Sequence, residues 1–384
     1  MTRRSRTTSP RRLIRLHYAA SERDADMLYA TGFSAPDPFL FLQVNGQRLM
    51  AVSDLELDRA RSTARVRHVL RWSEYERQVA KAGTPSSPAR VIAAILSARG
   101  IRRCAVPQSF SHGLAVQLAD EGIQVTPLPD PFWPARERKE ADEVRSIIRA
   151  QRAAEAGLAA GLDLLRHARI GRDGYLYTLG RRLAAEGLRH RIDAAVLAHG
   201  AVAAHTICAC GPQSVDPHEQ GHGPLRAHQP IIIDVFPRSE ATGYHGDLTR
   251  TVVRGHAGDR LCELYATVRA GVRMGLASLR PRASGQEIHR TILDFFTSRG
   301  FPTGDAHGRM EGFFHGTGHG VGLEIHEAPS IGPRRPSTLR RGHVVTIEPG
   351  LYYSELGGLR IEELALVEQN GCRNLTRAPH VFEL

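Results

Sequence analysis

The chain predicts two domains in tandem: an α/β domain, then an α+β domain whose strands carry carboxylates and are backed by helices. Three observations predict this. Helix-like and strand-like segments alternate between residues 25 and 130. A proline-punctuated, charged stretch, Asp130-Pro131-Phe132-Trp133-Pro134 and then Ala135-Arg136-Glu137-Arg138-Lys139, breaks the alternation and reads as a domain boundary. Beyond it, β-branched runs carry acidic residues at Asp234, Asp247, Glu348 and Glu362.

In the first domain, residues 39–44 and 47–53 are apolar strands joined by Asn45-Gly46, a two-residue hairpin signal. Residues 90–99 read as a helix closed by Gly100, 103–106 as a strand, 112–120 as a helix and 124–127 as a strand. A long helix is expected over residues 140–167, with Val144, Ile147, Ile148, Leu162 and Leu165 on one face. Leu261, Leu264, Tyr265, Val268, Val272 and Leu276 recur at helical spacing, and Ser284 to Glu287 reads as a capping box opening another helix. Both helices are expected to pack behind the sheet. The division is therefore a basic tail over residues 1–20, a first domain over 21–135 and a second over 136–384.

Composition narrows the function classes. At 384 residues the chain has room for two or three domains. No apolar run approaches the ~18–20 residues that span a bilayer, and the Arg-rich start is not followed by the apolar segment of a secretory signal. The formal charge of +11 comes almost wholly from arginine scattered through every segment, with Lys81 and Lys139 the lone lysines. Scatter is not a phosphate-binding stripe, so no nucleic-acid partner is expected. The five cysteines are widely spaced apart from Cys208-x-Cys210, which has no partner pair for a zinc site. Reduced thiols and a cytoplasmic location follow.

The richest stretch is Phe314-His315-Gly316-Thr317-Gly318-His319-Gly320-Val321-Gly322-Leu323-Glu324-Ile325-His326-Glu327. Three histidines sit among glycines that let the backbone run close to a neighbour, and the end reads as a strand from its apolar alternation. A carboxylate in a β-branched strand is costly to bury unless it is paired or binds a cation. Four such carboxylates plus His319 suit two divalent cations, Mn²⁺, Co²⁺ or Zn²⁺.

The order Asp, Asp, His, Glu, Glu, within the words Asp-Leu-Thr-Arg-Thr, Gly-His-Gly-Val-Gly-Leu-Glu-Ile-His-Glu, Ile-Glu-Pro-Gly-Leu-Tyr and Arg-Ile-Glu-Glu, resembles the pita-bread metallopeptidases (M24). It is most similar to their Xaa-Pro aminopeptidase and prolidase branch. The resemblance runs from about Glu140 to the C-terminus. It implies a creatinase/prolidase-like first domain and a catalytic domain with a curved, mainly antiparallel sheet. It also implies two metal ions, Mn²⁺ first among the candidates, held by Asp234, Asp247, His319, Glu348 and Glu362, with Asp247 and Glu362 bridging. The reaction implied is hydrolysis of the bond before proline by a hydroxide between the metals. Glu348 then shuttles the proton, His218 contacts substrate or handles protons, and His326 stabilises the oxyanion. His315, Arg360 and Tyr352 line the substrate site, with orientation of Glu362 as the other reading of Arg360. The substrate is a peptide with proline second, and the assembly a homodimer.

One departure stands out. The spacing from Asp234 to Asp247 is two residues longer than usual for the family, and Asp234 is followed by Val-Phe-Pro-Arg. Two is an even number, so if the extra residues sit in the connecting loop both carboxylates still face one side of the sheet. Two rival functions remain on the same fold: a metal-dependent lyase or hydrolase of a small zwitterion, and a non-enzymatic binding protein.

Overall fold

The computed structural model describes residues 13–83, 85–306 and 308–384. The chain divides into two compact units, Met1–Pro134 and Ala135–Leu384.

The first unit is built on one six-stranded sheet. Its strands are β1 (Arg15–Ala19), β2 (Phe39–Val44), β3 (Gln47–Val52), β4 (His68–Arg71), β5 (Arg103–Pro107) and β6 (Gln124–Leu128), in the order β4-β3-β2-β1-β5-β6. The run Phe39-Leu40-Phe41-Leu42 is apolar throughout because both faces of the sheet are covered. Phe39 and Phe41 pack with Met27 of α1 (Ala25–Thr31), Leu57 of α2 (Leu57–Thr63) and Trp133. Leu40 and Leu42 pack with α3 (Trp72–Lys81), α4 (Pro88–Ser97) and α5 (His112–Asp120).

Of the basic tail expected over residues 1–20, residues 1–12 lie outside the described residues, and Arg15–Ala19 is instead β1, inside the sheet. It pairs antiparallel with β2 and parallel with β5. Leu16 and His17 are buried on opposite faces, and His17 Nε2 bonds Asp24 Oδ1 at 2.8 Å. Five residues with only two strong apolar positions are too few to stand out beside arginines.

The second unit opens with α6 (Ala141–His167), started by a capping box between Glu140 and Glu143. α6 and α7 (Ala185–Ala198) share a core with a three-stranded antiparallel sheet, Ile207–Cys210, Pro230–Val235 and Leu248–Val253. α8 (Asp259–Ser278) and α9 (Gly285–Ser298) share a second core with a five-stranded sheet and a hairpin. In spatial order the five strands are Glu327–Ile331, Gly318–Gly320, Val344–Ile347, Glu363–Glu368 and Gly371–Asn374. The hairpin is Gly350–Tyr353 with Gly357–Arg360. The two sheets meet where Glu362 N–H donates to Thr249 O (3.1 Å) and Arg360 N–H to Thr251 Oγ1 (3.0 Å).

The alternation after His319 does not form the expected strand. Strand ends at Gly320, residues 321–326 bend, and strand resumes at Glu327. Val321 and Leu323 are buried as the alternation implies, yet the segment folds around the Glu327 carboxylate rather than running straight. No helix among the described residues is long and apolar enough to cross a membrane.

Leu16 is fully buried at the centre of the first sheet. Leu16→Ala is expected to destabilise the first unit by about 2–5 kcal/mol. Both tryptophans, Trp72 and Trp133, lie in that unit, so a urea titration followed by tryptophan fluorescence reads it directly. A change below about 0.5 kcal/mol, the size of a surface substitution, would contradict a central β1.

Candidate metal centre

Each donor is delivered by a specific backbone device. Asp234 lies on the strand Pro230–Val235 directly opposite Thr249, and Asp247 stands two residues before Thr249. Side chains alternate along a strand, so both carboxylates leave the same face, and the longer connection is absorbed in the loop. The Asp247 backbone is clipped by Gln151 of α6, whose Nε2 donates to Asp247 O (2.9 Å) and whose Oε1 accepts from Asp247 N–H (2.8 Å).

His319 sits on a three-residue strand between two others. A Cβ at Gly318 would collide with Thr346 O, and one at Gly320 with Ala328 O, so only glycine fits on either side of the histidine. Glu348 follows the strand Val344–Ile347, its N–H donating to Thr317 O (2.8 Å). Glu362 lies between the hairpin and the strand Glu363–Glu368, and Thr249 Oγ1 donates to its Oε2 (2.8 Å).

These five side chains converge on one cavity of ≈ 560 Å³. Donor atoms of Asp247, His319 and Glu362 lie within 4.8 Å of one another. His319 Nε2 is 3.2 Å from Glu348 Oε1 and 3.6 Å from Asp247 Oδ2. His319 Nδ1 is 3.2 Å from Gly320 O, which can only accept, so Nδ1 carries the hydrogen and Nε2 faces the carboxylates.

The electrostatics record the crowding. Burial, and then the charges of Glu362, Asp234 and Glu348, raise the Asp247 carboxyl well above its usual range. Burial followed by Glu348 and Asp234 pushes Glu362 up to about 8. Burial also works against ionising Glu348, but the hydrogen bond and charge of His319 prevail and hold its carboxyl at about 2. For His319, burial disfavours the charged ring, and the bond and charge of Glu348 outweigh it.

The cavity is also lined by His218, His315, His326 and Arg360. Arg360 does not orient Glu362 directly. Its Nη2 donates to Asp234 Oδ2 (2.7 Å), while its Nη1 donates to Tyr352 OH (2.8 Å) and Pro217 O (3.3 Å). Tyr352 is fully buried, and its hydroxyl lies 3.0 Å from His315 Nε2. His315 Nδ1 in turn lies 2.7 Å from Gly316 O. That carbonyl fixes the hydrogen on Nδ1, so Nε2 accepts from the tyrosine, and both ring nitrogens are engaged within the protein. Burial lowers His315 to about 4 and raises Tyr352 to about 12, so both are neutral. His218 is exposed in a loop that Arg360 ties down through Pro217. The His326 ring stands edge-on to His319, centroids 4.3 Å apart.

A divalent cation suits this set. Asp234 Oδ1 is buried without a hydrogen-bond partner among the described residues. The mutual repulsion that raises Asp247 and Glu362 is what a bound cation relieves.

The model of metallopeptidase family M24 matches residues 145–369. The chain belongs to that family. It is 39 % identical over 137 residues to an uncharacterised Bacillus subtilis peptidase, YqhT, across 36 % of each chain. It is 34 % identical over 173 residues to the Xaa-Pro dipeptidase of Pyrococcus furiosus, across 45 % of this chain and 47 % of that one. The matches thus span less than half the length of these curated relatives. The X-Pro aminopeptidase from Thermotoga maritima superposes with a TM-score of 0.80 at 22 % identity, covering 97 % of both chains, a likeness of fold. That likeness of fold extends over both units of this M24 chain.

Sequence reading did not pick out Gln151, Thr249 or the rim residues His205, Asp216, Gln220 and Phe236. Phe236 carried a signal: it lies two residues after Asp234 and so leaves the strand on the same face. Gln151 carried none, being one glutamine in a long helix.

Mn²⁺, Co²⁺ or Zn²⁺ titrated into metal-stripped protein is expected to raise the calorimetric melting temperature, a ligand at 100 times its Kd adding about 2.7 kcal/mol. Asp247→Ala should abolish the response. A wild-type chain indifferent to all three ions would refute the metal centre.

Proposed function

We propose that this chain is a dinuclear-metal peptidase that hydrolyses the peptide bond before proline, as an Xaa-Pro dipeptidase or aminopeptidase. One observation carries the reading: five donors, Asp234, Asp247, His319, Glu348 and Glu362, share one cavity with His218, His326 and Arg360. A relative named Xaa-Pro dipeptidase is 34 % identical over 173 residues of this chain, which supports the same reading. In this reading Asp247 and Glu362, whose donor atoms come within 4.8 Å of each other and of a His319 nitrogen, would be the shared ligands, with Asp234 completing one ion's set and His319 with Glu348 the other's. The oxygen-rich set favours Mn²⁺ over Co²⁺ or Zn²⁺. When bound, the ions supply Lewis-acid activation of the scissile carbonyl and of the attacking water.

The protein's own groups supply the rest. Glu348, ionised at neutral pH, accepts the water proton and passes it to the prolyl nitrogen, which has no hydrogen of its own and leaves only when protonated. His326 donates to the oxygen that gains charge as the carbonyl is attacked. Arg360 and His315 line the cavity, Tyr352 is buried behind them and holds both by hydrogen bonds, and exposed His218 is placed to meet the peptide. A cytoplasmic location agrees with five free thiols, and a homodimeric assembly belongs to the same reading.

The test is release of free amino acid from Xaa-Pro and Xaa-Pro-Yaa peptides by metal-stripped protein, with and without Mn²⁺, beside Asp247→Ala. Mn²⁺-dependent cleavage by wild type alone is the expected result, and the dipeptide-to-tripeptide rate ratio separates dipeptidase from aminopeptidase. Metal binding without cleavage of any Xaa-Pro peptide would overturn the assignment and turn attention to small zwitterions.

A further inference from the structure

Two buried cations lie just behind His326, with no part in the chemistry above. Arg136 and Lys139, both from the short segment before α6, are 6 % and 7 % exposed. Arg136 Nη2 donates to Glu327 Oε2 (2.9 Å) and Glu324 Oε2 (2.7 Å). Lys139 Nζ pairs with the other oxygen of Glu327, and Lys139 N–H donates to Gly342 O (2.7 Å), just before the strand Val344–Ile347. Each oxygen of one buried carboxylate is therefore held by a different cation, and one of the two is anchored to the sheet.

The bend over residues 322–326 is wrapped on that carboxylate. Glu324 N–H points to Glu327 Oε2 (3.5 Å), and a Cβ at Gly322 would strike the same group. His326 is the residue immediately before Glu327, and its ring lines the metal cavity while Glu327 is held by the cations. A buried ion pair adds little net stability over an apolar replacement, but it enforces one geometry strongly. Here the geometry enforced is the height of the loop that bears His326.

We propose that Glu327, gripped by Arg136 and Lys139, is the positioning residue for His326, fixing the loop 322–326 so that the ring faces the substrate space. The placement stands on the contacts above; its kinetic consequence rests on the proposed peptidase reading.

The test uses full-length protein carrying Glu327→Gln, and Lys139→Met with Glu327→Gln. In the second variant one cation and the anion leave together and Arg136 keeps Glu324, so it serves where the first does not fold. The His326 ring signal is assigned in metal-free protein by its loss in His326→Ala. It is expected to be single in wild type and shifted or doubled in the variants, with the ring signal of His289 unmoved. An unchanged His326 signal overturns the proposal. In Mn²⁺-loaded protein the variants should lose roughly 10- to 100-fold in kcat on an Xaa-Pro substrate, with KM within about twofold. In a His326→Ala background they should lose nothing further. An equal loss in both backgrounds would show that Glu327 does not act through His326. If wild type cuts no Xaa-Pro peptide, the peptidase reading falls and the ring signal alone decides the positioning role.

Discussion

Four carboxylates share one buried space, and their mutual repulsion is the constraint on which the rest of the second unit depends. Coulomb energy between such groups grows as water is excluded, so the cluster needs positive charge and rigid scaffolding at once. The protein contributes His319 against Glu348 and Arg360 against Asp234. Thr249 gives Glu362 a donor, and Gln151 fixes Asp247 by its backbone so that its carboxylate is left for other work. The residual imbalance falls on Asp247 and Glu362 and defines where a cation does most good.

The scaffold answers that constraint with short, heavily supported strands. The Gly318–Gly320 strand is pressed between neighbours so closely that glycine is required beside His319. Two helix pairs, α6 with α7 and α8 with α9, each close one apolar core behind the donor-bearing sheets. A carboxylate that swung free would find a lower-energy position in water, and burial of the strands on both sides removes that option.

Much of this was legible in the sequence, for local reasons. Asp234 and Asp247 could be placed on one face because their spacing exceeds the family's by an even number, given that the extra residues sit in the loop, where the structure has them. Repeated apolar runs marked β2, β3, α4 and α5 to within a few residues. What escaped depends on contacts between distant parts of the chain. β1 hides in an arginine-rich segment because five residues carry little periodicity. Arg136 and Lys139 read only as part of a charged domain boundary, and their meeting with Glu327, nearly two hundred residues on, is what buries them. The apolar alternation at Val321 and Leu323 reported burial correctly, yet a strand was not its only cause.

The line from Arg360 through Tyr352 and His315 to Gly316 O has one further property. Its first member can only give hydrogens and its last can only take one, so the hydroxyl and the imidazole between them have a single permitted orientation. Such a line has polarity, like a row of magnets fixed at both ends. Its dipoles do not need to turn when a charged or polar ligand arrives, and the reorganisation that water would undergo at the same place has already been completed by folding.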